Sequence, residues 1–235
     1  MDYRQGRYAD ALARADEHLD WAHAHADANE LFFALMWCAN AAMALGMSQR
    51  AAELYEGSVA AATEVRDPRR QAMALANLGD LALIEADYER ALMLSDQAAA
   101  LVGGRGGSIN VVPLTNGATA AFYLGRNDDA RDRAVVALER SQESYLPALG
   151  PLLEVFAALA VRAGDFRRAA ALLGAADAFH ERTGDALEPT EEALRAQTMG
   201  EIGGLDGSLG EAWQSGFELA LDDAIALALG TEPDA

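Results

Sequence analysis

The 235-residue chain contains no lysine; all 18 of its basic residues are arginine. This excludes a Schiff-base nucleophile and the phosphate-gripping lysine of a Walker-type loop. There is one cysteine, Cys38, so no intrachain disulfide can form. It lies within LFFALMWCANAAMAL, where a buried thiol is the expected state. Positive charge is scarce: 37 acidic residues against 18 basic ones leave a net charge of −19. A nucleic-acid face neutralises phosphates with cations, so direct binding to DNA or RNA is not expected. A membrane span needs about 20 apolar residues, and the apolar stretch 31–45 is shorter and interrupted by Asn40. The N-terminus is polar and charged rather than shaped like a signal peptide, so a cytoplasmic location is expected. Aromatics are only 7% of the chain, and no alternating β-branched stretch of any length occurs. The fold class expected is all-α.

What is present is alanine, in a chain that is 51% apolar, and it recurs with a period. GRYADAL from Gly6, GMSQRAA from Gly46, ADYERAL from Ala86, GRNDDAR from Gly125 and GDFRRAA from Gly164 share one pattern. Each begins with a small residue and has alanine five positions later, at Ala11, Ala51, Ala91, Ala130 and Ala169. The small residues are spaced 40, 40, 39 and 39 apart. A helix–turn–helix unit explains the pattern. The small residue closes the first helix in the left-handed conformation, where a Cβ is costly. The alanine lets the two backbones approach. Tyr8, Tyr88 and Phe166, two positions after the small residue, are expected to plug the gap between helices. First helices are expected at about 31–45, 71–85, 110–124 and 148–163, and second helices at about 8–24, 49–65, 88–101, 127–142 and 166–182.

ALANLGDLALIEADYERAL (74–92) resembles a tetratricopeptide repeat, with N-L-G in its first helix and D-Y-x-x-A at its turn. The period of 39–40 exceeds the usual length of about 34. The resemblance implies a helical-hairpin solenoid wound as a right-handed superhelix over 1–187, with a C-terminal helical cap over 188–235. AAALLGAADAFHERTG (169–184) and LGEAWQSGFELALDDAIALAL (209–229) are similar to the C-terminal ends of LuxR-type and SARP-type regulators of transcription in actinobacteria. Leu172, Leu173, Gly174, Ala175, Ala176, the Arg182-Thr183-Gly184 stop, Trp213, Gly216 and the helix from Leu221 to Leu229 carry that similarity. GEIGGLDGSLG (200–210) departs from it by its glycine content. The similarity implies the sensor or interaction region of such a regulator, without its NTPase and DNA-binding parts.

Counting back from each turn residue places candidate ligand-reading residues on the first helices, which line the concave side of such arrays. Nine before the turn stand Trp37, Asn77, Asn116 and Val155; six before, Asn40, Asp80, Thr119 and Ala158; ten before, Met36, Ala76, Thr115 and Glu154. Asn40, Asn77 and Asn116 offer amide donors and acceptors to an extended backbone, Trp37 and Tyr123 offer apolar platforms, and Asp80, Thr119 and Glu154 complete the set. The partner expected is a protein or peptide, or a small-molecule effector. Asparagine at such positions also serves interhelix hydrogen bonds, and that alternative stands beside the first.

Other constellations are weaker. DEHLDWAHAHAD (16–27) puts Asp16, Asp20, His23 and Asp27 along one helical stripe, but without HExxH or paired His it reads as a solvated face. VGGRGGS (102–108) is not a dinucleotide-binding fingerprint and reads as a loop. No GxSxG elbow occurs and no acid–base set converges, so neither an enzyme nor a cofactor is expected. The first repeat lacks its first helix, which reads as a cut through a longer protein. On that reading the helix from Tyr8 exposes an apolar stripe of Leu12, Ala15 and Leu19. A homo-oligomer assembled through that stripe is the alternative function.

Overall fold

The computed structural model describes residues 7–25, 27–103, 111–144, 148–184 and 187–231, and every regular element among them is an α-helix. The chain divides into two compact units, Met1–Arg105 and Gly106–Ala235. The first unit holds α1 (Tyr8–His25), α2 (Ala28–Ala44), α3 (Ser48–Glu64), α4 (Pro68–Ile84) and α5 (Tyr88–Val102). The second holds α6 (Val111–Tyr123), α7 (Asn127–Ser144), α8 (Leu149–Arg162), α9 (Phe166–Thr183), α10 (Pro189–Ile202), α11 (Gly207–Phe217) and α12 (Leu221–Leu229). Within the first unit each helix from α1 to α5 packs on the next, and within the second each from α6 to α9 does, with α2–α3, α4–α5, α6–α7 and α8–α9 as the hairpins, so the chain is an all-α helical repeat. Within the second unit α10 packs against α8 and α11 against α9.

The hairpin turns follow from one backbone device. Gly46, Ala86, Gly125 and Gly164 have φ of 72°, 58°, 72° and 77°. At each, the turn residue's N–H donates to the carbonyl three back, as Gly46 does to Met43 at 2.9 Å. The next N–H donates to the carbonyl five back, as Asp87 does to Ala82 at 2.9 Å. These two bonds satisfy carbonyls that the helix end would otherwise leave unpaired. Gly6 lies outside the described residues. Ala86 alone of the four carries a Cβ in the left-handed region, which is costly for an L-residue. Ala86→Gly is therefore expected to stabilise the chain by about 0.5–1 kcal/mol, read as a raised urea midpoint at constant slope. An unchanged or lowered midpoint would contradict the strain at this turn.

The alanines five after the turn, Ala51, Ala91, Ala130 and Ala169, are fully buried, as close helix approach requires. The aromatics behave differently. Tyr8 and Tyr88 are half-buried, but Phe166 is 41% exposed and plugs nothing. Each stands at the first residue of its helix, a flared position ahead of the interhelix seam that the alanine fills. The expected stripe on α1 is also not exposed. Leu12 and Ala15 are buried against Cys38 and Ala41, with Ala11, Leu19 and Leu54 packed around them. The stripe faces forward onto α2 and α3, so it needs no preceding helix to cover it. Burial pushes the Cys38 thiol up to about 12, helped by the Asp16 carboxylate, to which it donates at 3.6 Å.

Helices α2 and α4 start three residues before the apolar run, at Ala28 and Pro68. Asp27 accepts from the N–H groups of Asn29 and Glu30, at 3.0 and 3.2 Å, and Asp67 does the same for Arg69 and Arg70. Asp87 and Asp165 cap α5 and α9 through the N–H groups of Arg90 and Arg168. Each cap satisfies donors that begin a helix without partners, which is why aspartate recurs at these joints.

Candidate functional site

In the first unit the first helices present an open stripe. On α2 it runs through Phe33, Trp37, Asn40 and Ala44, which stand 13, 9, 6 and 2 residues before Gly46. On α4 the same register gives Met73, Asn77, Asp80 and Ile84 before Ala86. Trp37 is 55% exposed and Phe33 38%, one turn apart on α2, whereas Phe32, Leu35 and Met36 beside them are buried. Arg70 of α4 lays its guanidinium over the Phe33 ring, 4.8 Å from its centre. It also donates to Asn29 Oδ1 at 2.8 Å and pairs with Asp67 at 3.3 Å. This cation–π contact ties α4 to α2 while leaving the Trp37 ring uncovered by it.

Asn40 and Asn77 meet, but chiefly on each other. Asn77 Nδ2 donates to Asn40 Oδ1 at 3.2 Å, and the same oxygen accepts from the hydroxyl of Tyr55 at 2.6 Å. Tyr55 is fully buried, and a buried phenol needs such a partner. Asn40 is thus an interhelix acceptor, and Asn77 is half-buried beside it. Asp80 is half-buried in the same stripe.

The equivalent stripe of the second unit is closed. Asn116, Thr119 and Glu154 are buried. Thr119 donates to the carbonyl of Thr115 at 3.1 Å, one turn back in its own helix. Tyr123 is half-buried with its ring against Phe122, centroids 5.6 Å apart. Glu154 faces α10: Arg195 donates to it through Nη1 and to Asp177 of α9 through Nη2. Trp213 of α11 donates from its indole to the other oxygen of Asp177 at 2.9 Å. Glu154 Oε2 is buried without a hydrogen-bond partner. Burial pushes its carboxyl up to about 7; Arg195 opposes this, and Asp177 and Glu191 add to it. These three residues are therefore interior groups of the second unit and not part of an open groove. The sequence did carry a signal for the network, a glutamate inside the otherwise apolar LLEVFAALAV, since a buried charge requires a partner. It did not say that the partner was Arg195.

The acidic and histidine-rich stripe of α1 disperses. Asp16 pairs with Arg50 at 2.6 Å, and His18 with Glu30 at 3.1 Å. His25 stacks on Trp21, with ring centres 4.2 Å apart, and Asp27 lies beyond α1 as the cap of α2. Among the described residues no group of three or more His, Cys, Asp or Glu is placed to hold a metal ion. In the 102–108 segment, Gly104 to Ser108 lie outside the described residues. Among the described residues no helix is long and apolar enough to cross a membrane. No family model matches the chain, and no curated protein matches it.

Proposed function

We propose that the protein is a non-enzymatic binding module whose ligand face is the open first-helix stripe of the first unit. The observation that carries this reading is Trp37. A large ring left more than half in water, one turn from the partly exposed Phe33, offers apolar area for a partner to cover. Asn77 supplies polar register beside it, and Arg70 holds α2 and α4 together under it. An extended peptide or a segment of a partner protein fits this mixture of ring, amide and carboxylate. Filling the stripe would change the packing of α2 on α4, which is how occupancy is passed on. The role in a bacterial transcription regulator rests on the similarity at Gly174, Trp213 and Gly216, which lie together where α9 meets α11. Self-assembly through α1, the alternative, loses its main support because the α1 stripe is covered within the chain.

A peptide selected from a random library against the full chain provides the test. Trp37→Ala is expected to weaken its binding by about 10- to 100-fold, the range of an aromatic hot spot, and Asn77→Ala by less. If neither substitution changes the affinity of any selected peptide, the stripe is not the binding face.

A further inference from the structure

In the second unit, α10 is held differently from its neighbours. α9 and α11 touch backbone to backbone: a Cβ on Gly174 would lie 2.0 Å from the Trp213 carbonyl oxygen, and one on Gly216 would lie 1.8 Å from that of Ala171. α10, between them in sequence, buries only Leu194 and Thr198 among its side chains. Thr198 bonds back to the Leu194 carbonyl of its own helix. Met199 and Ile202 are half-buried beside them, and the side-chain bonds that tie α10 to other helices are polar. Glu201 pairs with Arg162 at 3.6 Å across a partly exposed surface, a contact of small worth. Arg195 reaches inward, to Glu154 and Asp177.

α10 also closes its own ends. Pro189 opens it behind a capping box in which Glu188 and Glu191 exchange side-chain and backbone bonds. Gly203 and Gly204, with φ of 80° and 126°, follow it. A helix capped in this way and followed by two glycines can leave its seat as a unit. Its seat is not fully matched to it. Arg195 divides its fork between two carboxylates and leaves Glu154 Oε2 buried and unpaired. A guanidinium free to approach end-on could bond both oxygens of one carboxylate.

We propose that α10 is a displaceable strap, and that the seat of Arg195 between α8 and α9 is a guanidinium site, filled in this state by the chain itself and open to an arginine-bearing peptide of a partner when the strap is lifted. Glu154 and Asp177 supply the charge, and Trp213 fixes Asp177 from behind. This site is separate from the Trp37 stripe and does not depend on it.

Hydrogen exchange on the full chain tests the strap. In wild type, the amides of 189–202 should exchange at least about tenfold faster than those of α8 and α9, by opening without them. Arg195→Ala should speed 189–202 by about a further tenfold and leave α8 and α9 unchanged. Arg195→Lys should fall between, since an ammonium cannot bridge two carboxylates as a fork does. A synthetic peptide copying residues 187–204 then tests the seat. It should bind the Arg195→Ala chain at least about tenfold more tightly than wild type, and the same peptide with alanine in place of its arginine should not bind. Exchange of α10 in step with α8 and α9 in wild type would overturn the strap, a measurement that stands even if Arg195→Ala does not fold. Equal binding of the peptide to both chains, or binding without its arginine, would overturn the guanidinium site.

Discussion

One methyl group added at Gly216 is expected to destabilise the second unit by about 3 kcal/mol or more, at the upper end of overpacking costs. The methyl would sit 1.8 Å from the Ala171 carbonyl oxygen and 2.7 Å from its Cα. Both are backbone atoms, so no rotamer change relieves the clash, and α11 must move off α9. Gly174→Ala meets the Trp213 carbonyl oxygen at 2.0 Å and the Phe217 nitrogen at 2.9 Å, and should cost a similar amount. Gly200→Ala is the control. Nothing lies within 4 Å of its added Cβ, and helix propensity alone predicts a gain of up to about 1 kcal/mol. Urea denaturation with an unchanged slope distinguishes the three. A loss below about 1 kcal/mol at both Gly174 and Gly216 would mean that the helices do not cross as closely as described.

The second large effect concerns Glu154 and pH. Its ordinary value is 4.5, and burial raises it to about 7 in the folded chain. Between those values the folded state holds a proton that the unfolded chain has released. Stability from this group is therefore fully present below about 4.5 and is lost as pH rises to about 7, where the buried carboxyl must ionise. Glu154→Gln removes the titration while keeping an acceptor for Arg195. The difference between wild-type and variant stability should move against wild type by about 3 kcal/mol from pH 4.5 to 8. Thermal or urea melts at several pH values give that difference directly. A flat difference, or one that favours wild type as pH rises, would contradict the uncompensated burial of Glu154.

Much of the fold is legible in the sequence because two of its requirements are local. A left-handed turn residue and an alanine five positions on answer to backbone conformation and closest approach, and both act within a few residues. The second helices accordingly fall within two residues of the expected ranges. The starts of α2 and α4 were missed because Asp27 and Asp67 precede polar first turns, which an apolar period does not register. Phe166 was misread because its position two after the turn is a helix's first residue. The candidate site was legible only in register. Counting back from the turn puts Trp37, Asn77 and Glu154 on the first helices α2, α4 and α8. Whether each faces water depends on what packs over it, and for Glu154 the answer lies 41 residues away, at Arg195.

The aspartates that cap α2, α4, α5 and α9 bear on how the chain's acidity should be understood. Asp27, Asp67, Asp87 and Asp165 contribute to the net charge of −19, yet each is already engaged by the positive end of a helix. Part of the negative charge is thus structural, and it could not be trimmed to suit a partner without loosening those four joints. On the proposed binding stripe, charge that discriminates among ligands would come from residues outside those caps, such as Asp80.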